Sequence, residues 1–282
     1  MSDVTRDVAA VVVDYHADLE LIGCVASLRR NGVEEIVVVE NGDLGSTPEA
    51  ALGPVRLVRP GLNVGYGAGV NRGAALASER TYLVVSNPDV VVHDGALATM
   101  VVFLESNVDY AIVGPRIVRP DGSVYPSHRV FPNVWLAGAH ALLSTWWEGN
   151  PASKRYRAPH LDGSVDWVSG ACFLVRRDAF EAVGGFDERY FMFAEDMALC
   201  WSLAQHGWRV GASDEAVVTH VEGVSRARAS RAMLIAHHRS ALRFEWQSSR
   251  GPRRVLVPLA GLVLGLRLAV ALATSKGSSL AP

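Results

Sequence analysis

VAAVVVDYHADLELIGCVASLRRNG, residues Val8 to Gly32, is the stretch whose reading decides the fold. Its first six residues form an unbroken apolar run, the pattern of a strand buried on both faces, as parallel strands covered by helices are. The period then changes. Leu21, Ile22, Val25 and Leu28 recur at helical spacing, with Asp18 ahead of them as a cap and Gly32 behind them as a stop. A buried strand followed at once by an amphipathic helix is the opening of a strand–helix–strand crossover, and it predicts a parallel sheet.

The alternation continues outward from there. EIVVVENG (Glu35–Gly42) repeats strand and turn, and TPEAAL (Thr47–Leu52) reads as a short helix with Pro48 at its first position. VRLV (Val55–Val58) leads into the glycine-rich LNVGYGAGVNRGAALA (Leu62–Ala77). TYLVVSNPDVVV (Thr81–Val92) reads as a fourth strand, followed by a helix with Asp94 as its cap. Regularity ends near Ile117: PDGSVYPSHRVFPN (Pro120–Asn133) is turn-rich, and Trp135 to Leu161 is aromatic and irregular. DWVSGACFLVRR (Asp166–Arg177) resumes as a strand, and a short helix and loop extend to Phe191. A helical stripe then runs from Glu195 through Met197, Cys200, Trp201 and Ala204 to a stop at Gly207. The expected class is α/β, a Rossmann-like, mostly parallel sheet flanked by helices, with a C-terminal amphipathic helical segment.

The 282 residues carry a net charge of −2, unevenly spread. Residues 221–282 hold ten Lys/Arg against Glu222 and Glu245, a charge of +8, which leaves −10 for the rest. The tail also contains VLVPLAGLVLGLRLAVALAT (Val255–Thr274), near the length of about 20 apolar residues that a bilayer span needs. Pro258 and Arg267 interrupt it, so the expectation is a helix lying in the membrane interface, flanked by Arg250, Arg253 and Arg254. A core-packing C-terminal helix is the other reading. Nucleic acid is not an expected partner, because the basic residues are not interleaved with base-stacking aromatics. Cys24, Cys172 and Cys200 are isolated, which fits buried thiols in a reducing compartment and neither a disulfide framework nor a zinc site. MSDVTRDVAAVVV lacks the basic start and cleavage site of a signal peptide, so a cytoplasmic location is expected.

Ligands of open α/β sheets bind at the carboxyl edge of the strands. The residues just past each strand here are polar: Asp14-Tyr15-His16, Glu40-Asn41-Gly42, Asn63 with Gly65, and Asn87-Pro88-Asp89. Tyr15 suits stacking on a base, and Glu40 suits accepting hydrogen bonds from a base or a ribose. GYGAG imitates a dinucleotide fingerprint but comes after the third strand, whereas the fingerprint belongs after the first; a nicotinamide-dependent dehydrogenase is therefore poorly supported. SNPDV reads equally as a strand-ending turn and as ligands for a hard cation such as Mg²⁺ or Mn²⁺. His220, after the strand VVT, reads as structural or as completing a metal site with Asp89. Glu195 and Asp196 open a helix, where the dipole favours negative charge, so a cap and a working site both fit.

Five blocks carry a resemblance: IVVVENGD, NVGYGAGVNRGAALA, VSNPDV, GACFLVRRDAFEAVGGFDERYFMFAEDMALCWSLAQHGW and VTHVEGVS. In this order and spacing, over roughly residues 8–245, the chain resembles the bacterial inverting glycosyltransferases of family two. Within them it is most similar to dTDP-rhamnosyltransferases of the actinobacterial cell-wall linker type, DGSVYPS and YFMFAEDMALC contributing most. The resemblance implies a GT-A fold with residues 1–116 as the nucleotide-sugar-binding half, 117–245 as the acceptor-binding and catalytic half, and 246–282 as a membrane-associating segment. It implies nucleotide-sugar contacts from Tyr15, Glu40, Asn63, Gly65, Asn71, Asn87 and Asp89, with Glu40 standing where relatives usually have Asp. Asp89 and His220 are then the ligands of a divalent cation, Mn²⁺ or Mg²⁺. Asp196 is the catalytic base, with Glu195 supporting it or touching the acceptor, and Trp167, Ser169 and Gly170 are further acceptor contacts. The implied donor is dTDP-L-rhamnose and the implied acceptor a polyprenyl-diphosphate-linked saccharide, met at the inner face of the cytoplasmic membrane. Arg239, Arg243 or Arg253 would meet its diphosphate. A UDP-galactofuranose or UDP-hexose donor, or an inactive nucleotide-sugar-binding protein, are the alternatives. One departure stands out: many relatives carry another acid two residues after the base, where this chain has Ala198, and this bears on acceptor identity.

Overall fold

In the computed structural model, which describes residues 4–42, 49–131, 151, 164–221 and 231–274, the first strand lies inside the sheet and is buried along its whole length. Strand β1 (Val8–Asp14) pairs in parallel with β2 (Glu35–Glu40) on one side and β4 (Tyr82–Ser86) on the other, and β3 (Arg56–Val58) extends the sheet beyond β2. Alternate side chains of a strand point to opposite faces. Val8, Ala10 and Val12 therefore meet α1 (Asp18–Arg30) and α4 (Ala96–Ser106) in one core layer. Ala9, Val11 and Val13 enter the other layer with α3 (Tyr66–Leu76), α5 (Arg177–Ala182) and α6 (Glu195–Gln205). A short α2 (Glu49–Leu52) precedes β3.

The parallel order holds for these four strands and then gives way. β10 (Cys172–Arg176) enters antiparallel between β4 and β6 (Tyr110–Val118), β11 (Arg209–His220) runs parallel to β6, and β5 (Val90–Val92) pairs antiparallel with β11. β7 (Val124–Tyr125) pairs with β6, while β8 (His128–Arg129) and β9 (Trp167–Val168) form a separate ribbon. Nine strands thus make one mixed sheet among the described residues. β6 runs through residue 116, so the two expected halves share that sheet.

Several local expectations change. TYLVVSNPDVVV is two strands, because Asn87-Pro88-Asp89 breaks the ladder and β5 goes to the far edge beside β11. Asp94 does not cap α4. The cap is Gly95 at φ +83°, a conformation that favours glycine, and the side chain of Asn31 at the end of α1 accepts the Gly95 N–H at 3.1 Å. Helix α1 begins at Asp18 itself, its cap being Ala17, whose N–H donates to Asp14 Oδ1 at 3.2 Å. DWVSGACFLVRR likewise splits into β9 and β10 around Ser169–Ala171. Pro48, and the Trp135–Leu161 stretch apart from residue 151, lie outside the described residues.

Beyond β11, α7 (Arg231–Ser248) packs on α6, and a 3₁₀ turn (Gly251–Leu256) leads to α8 (Val257–Thr274), which lies against α7. Pro258 does not interrupt α8. It is the second helical residue, where its missing N–H would have had no partner in any case. Residues Arg254–Ala273 are long and apolar enough to cross a membrane by length and composition, and only 11% of that stretch is buried.

The layer under α3 depends on a close approach. A Cβ on Gly73 would stand 2.5 Å from Val11 Cγ1 and 2.9 Å from Val39 Cγ2, branched side chains that have few rotamers to retreat into. Gly73→Ala is expected to destabilise by about 1–3 kcal/mol through overpacking, read as a lower urea midpoint at unchanged slope. An unchanged midpoint would contradict this packing.

Candidate active site

A cleft of about 530 Å³ opens where the strand order reverses, at the carboxyl ends of β1, β2 and β4. Val13, Tyr15, Asn41 and Asn87 reach it from those ends, and Asn63 from the turn before α3. The opposite wall comes from Ser169–Ala171, from Glu195–Met197 and from α7. β10 makes the two walls meet. Its antiparallel register sets Cys172 opposite Ser86, and the Asn87 N–H donates to Ala171 O at 2.8 Å, so Gly170 arrives beside the end of β4.

Gly170 in turn holds Asp196. Its N–H donates to Asp196 Oδ2 at 2.8 Å, and the Met197 N–H donates to Oδ1 at 2.8 Å. The Tyr66 hydroxyl donates to Gly170 O at 2.6 Å and braces the same residue from α3. Asp196 is therefore no simple cap; the cap position of α6 is Ala194, which makes no side-chain cap bond. Phe193 and Ala194 sit at φ +68° and +61°, left-handed values that cost a non-glycine residue about 1–3 kcal/mol each and persist only when the surroundings enforce them. Here they do: the Tyr66 N–H donates to Phe191 O at 3.1 Å and the Ser240 hydroxyl to Met192 O at 2.8 Å.

The two acids are not equivalent. Glu195 is buried, and its Oε2 has no hydrogen-bond partner among the described residues. Burial, and then the charge of Asp196 beside it, push the Glu195 carboxyl up to about 8. Burial also raises Asp196, but the Gly170 and Met197 N–H groups and the field of Arg129 oppose the rise. Burial thus disfavours the charge on both carboxyls, and the Gly170 and Met197 N–H groups favour the ionised form at Asp196.

Across the cleft, His220 Nε2 lies 3.1 Å from Asp89 Oδ1, both residues nine-tenths buried. The antiparallel β5–β11 register brings them together, pairing His220 with Val90, and the Val221 N–H donates to Asp89 O at 2.9 Å. His220 Nδ1 is buried without a hydrogen-bond partner among the described residues. Those residues contain no cluster of three or more potential metal ligands. One carboxylate and one imidazole suit a cation such as Mn²⁺ that takes its remaining ligands from a substrate and water.

Of the residues singled out from the sequence, Tyr15, Asn63, Asn87, Asp89, Trp167, Ser169, Gly170, Glu195, Asp196 and His220 all line this cleft. Three do not. Glu40 is buried and paired with Arg59 at 2.9 Å. Asn71 is spent on the loop after α5, donating to Phe186 O at 2.9 Å and accepting the Phe186 N–H at 2.9 Å. Gly65, at φ +91°, lets the chain pass close to the Phe191 carbonyl. Arg243 lies over the Tyr190 ring at 5.8 Å, away from the cleft. Sequence reasoning missed Tyr66, Tyr125, Arg129, Phe193, Met233 and His237, all of which line it. Tyr66 left a trace, a lone aromatic among the small residues of GYGAG; Arg129, whose guanidinium stacks on Trp167 at 5.2 Å, left none.

The buried acid has a stability consequence whose sign is fixed. A folded-state pKa of about 8 lies above the ordinary 4.5, so the folded protein holds this proton more tightly than the unfolded chain does. The resulting stability is fully present below pH 4.5 and is lost as pH rises through about 8. Glu195→Gln, which cannot ionise, is expected to raise Tm at pH 8 and leave it unchanged near pH 4.5, by calorimetry. A pH-independent difference would refute the shift.

The chain matches the glycosyltransferase-like family 2 over residues 5–240. It is 37% identical over 260 residues to the N-acetylglucosaminyl-diphospho-decaprenol L-rhamnosyltransferase of Mycobacterium tuberculosis, covering 86% of this chain and 84% of that one. It is 29% identical over 155 residues to the rhamnosyltransferase WbbL of Escherichia coli, covering 51% and 57%. Among solved structures, the mannosyltransferase of Pyrobaculum calidifontis, in complex with GDP-Man and Mn²⁺, superposes with a TM-score of 0.59 at 17% identity, over 98% of this chain and 79% of that one. This mixed α/β protein is of the GT-A type, and the chain belongs to glycosyltransferase family 2.

Proposed function

We propose that this enzyme transfers L-rhamnose from dTDP-L-rhamnose, with inversion, to a hydroxyl of an N-acetylglucosaminyl-diphosphopolyprenol acceptor in cell-wall or polysaccharide synthesis. The observation that carries the reading is a single cleft holding both an Asp89–His220 pair and an amide-anchored Asp196, in a chain 37% identical to the mycobacterial rhamnosyltransferase. Tyr15 and Asn63 bind the nucleoside at the strand ends, Asn41 holds the turn before α3 through Gly65 O and the Val64 N–H, and Asn87 and Asp89 face the sugar diphosphate. Glu40, held by Arg59, supports that end from behind.

Inversion at the anomeric carbon takes one in-line displacement and one base. The acceptor hydroxyl attacks, the bond to the diphosphate oxygen breaks, and Asp196 accepts the hydroxyl proton. Its two amide donors hold both carboxylate oxygens in place, which fixes the direction from which the proton is taken. Neutral Glu195 keeps a second negative charge away from Asp196 and offers an O–H to the acceptor. Trp167, Ser169 and Gly170 form the acceptor wall beside it. Asp89 and His220 would hold a divalent cation, Mn²⁺ suiting the imidazole, and such a cation neutralises charge on a departing diphosphate. No acid facing Asp196 is then required, unlike the paired carboxylates of glycosidases.

Residues 246–282 place the enzyme on the inner face of the cytoplasmic membrane. Leu259, Leu262, Leu266 and Val270 of α8 are exposed, and Arg254 stacks on the exposed Trp246 at 5.0 Å, an apolar face with an aromatic and basic border that suits the bilayer interface.

The reading is tested by offering the purified protein dTDP-rhamnose, UDP-galactofuranose, UDP-hexoses and GDP-sugars with a polyprenyl-diphosphate N-acetylglucosamine acceptor. Transfer from dTDP-rhamnose above all others is expected; preference for another donor replaces it. Asp196→Asn should lose about 10²–10⁴-fold in turnover while still binding the donor. Asp89→Ala should weaken donor binding in Mn²⁺ and leave it unaltered in chelator; equal calorimetric affinities with Mn²⁺ would remove Asp89 from that role.

A further inference from the structure

The cleft has a second end that neither nucleotide nor sugar chemistry accounts for. Met233, His237 and Ala241 line it from α7, and they stand four residues apart, on one face of that helix. At 1.5 Å per residue this stripe extends about 12 Å. Phe193 closes the other side of the same trough, with its ring edge-on to His237 at 5.2 Å. Phe193 is one of the two residues held at positive φ, and the backbone beside it is anchored to α7 by the Ser240–Met192 bond. The enforced conformation therefore keeps a large aromatic ring at the edge of a cleft that also contains the carboxylate of Asp196.

The position of this trough relative to α8 matters. α7 lines the cleft with one face and packs on α8 with another, and α8 carries the exposed apolar row Leu259, Leu262, Leu266 and Val270. The basicity of His237, an exposed side chain, is lowered by partial desolvation and then by the charges of His238 and of Arg267 on α8. The cleft that holds Asp196 is thus lined at Met233 and Ala241 by the helix that packs on α8, whose exposed face is apolar. Met233 and Ala241 offer no side-chain hydrogen bond to a sugar or a diphosphate, whereas they suit a hydrocarbon chain attached to one.

We propose that Phe193 together with Met233, His237 and Ala241 of α7 binds the first isoprenoid units of the acceptor's polyprenyl chain. This rests on the reading of the acceptor as a polyprenyl-diphosphate-linked saccharide. The trough seats the part of the chain nearest the diphosphate, and the rest continues into the bilayer beneath α8. The chain then contributes to orienting the sugar hydroxyl toward Asp196, and acceptor selectivity depends on the tail as well as the sugar.

The test uses the full-length protein, dTDP-rhamnose, and synthetic N-acetylglucosaminyl diphosphates bearing tails of one to about four isoprene units, below their micellar concentrations. For the wild type, KM is expected to fall at least about tenfold along the series and then level off, since burial of about two methylenes alone predicts that much. Met233→Glu and Ala241→Asp, each checked for native circular dichroism, are expected to flatten that dependence. A wild-type KM indifferent to tail length overturns the proposal whatever the variants do. So does a length dependence that survives in both folded variants, including the case where they lose liposome binding instead, which would set the stripe against the bilayer. Donor hydrolysis without transfer to any of these acceptors overturns the acceptor reading itself, a result distinguishable from transfer that ignores tail length.

Discussion

The antiparallel entry of β10 between β4 and β6 is the constraint on which the rest of the site depends. Four parallel strands alone would offer a nucleotide crevice with one wall. Because β10 runs the opposite way, its start lies beside the end of β4, and the Ser169–Ala171 backbone faces Asn87 across the crevice. A Gly170 N–H then becomes available at the one place where Asp196 can accept it. A Cβ on Gly170 would meet Asp196 Cβ at 3.2 Å and Tyr66 Cε1 at 3.5 Å, so the residue is wedged between Asp196 and its brace Tyr66. The GYGAG turn that imitates a dinucleotide fingerprint has a different task. It delivers Tyr66 to Gly170 and presses Gly65 against the loop that precedes the acids.

Electrostatics divide the labour of the two neighbouring carboxylates. Adjacent acids in a buried place cannot both ionise without cost, and their environments differ. Asp196 has two amide donors, whereas Glu195 leaves an oxygen without a partner among the described residues. The amide donors accordingly favour the charge on Asp196, while burial disfavours it on Glu195. In the proposed mechanism a base and a hydrogen-bond donor come from consecutive residues of one helix turn, with the positive-φ residues Phe193 and Ala194 just before them.

Much of this was legible in the chain. Hydrophobic runs located the strands, because a strand covered on both faces must be apolar throughout, and residues after strand ends marked the cleft, because carboxyl edges collect ligands. Tyr15, Asn63, Asn87, Asp89 and His220 were all found this way and by resemblance. Local patterns fall short where a partner distant in sequence decides. Asn31 supports the start of α4 in place of Asp94, and Arg59 and Phe186 bond to the side chains of Glu40 and Asn71, each across 19 or more residues. Pro258 was misjudged as an interruption because its effect depends on its position within the helix, and in the first turn it is harmless.

The sequence by itself determined the alternation of elements, the apolar and basic tail, and which acids stand near a helix start, because these depend on periodicity and local composition. Only the tertiary structure decided that the sheet turns mixed at β10, that β5 leaves β4 for the far edge beside β11, and that Tyr66 and Arg129 line the cleft. It alone showed that Met233, His237 and Ala241 share the cleft with Asp196. The physical reason is that strand order and helix docking are set by long-range packing. A pattern within a short window shows which face of a segment is buried and leaves open what it is buried against.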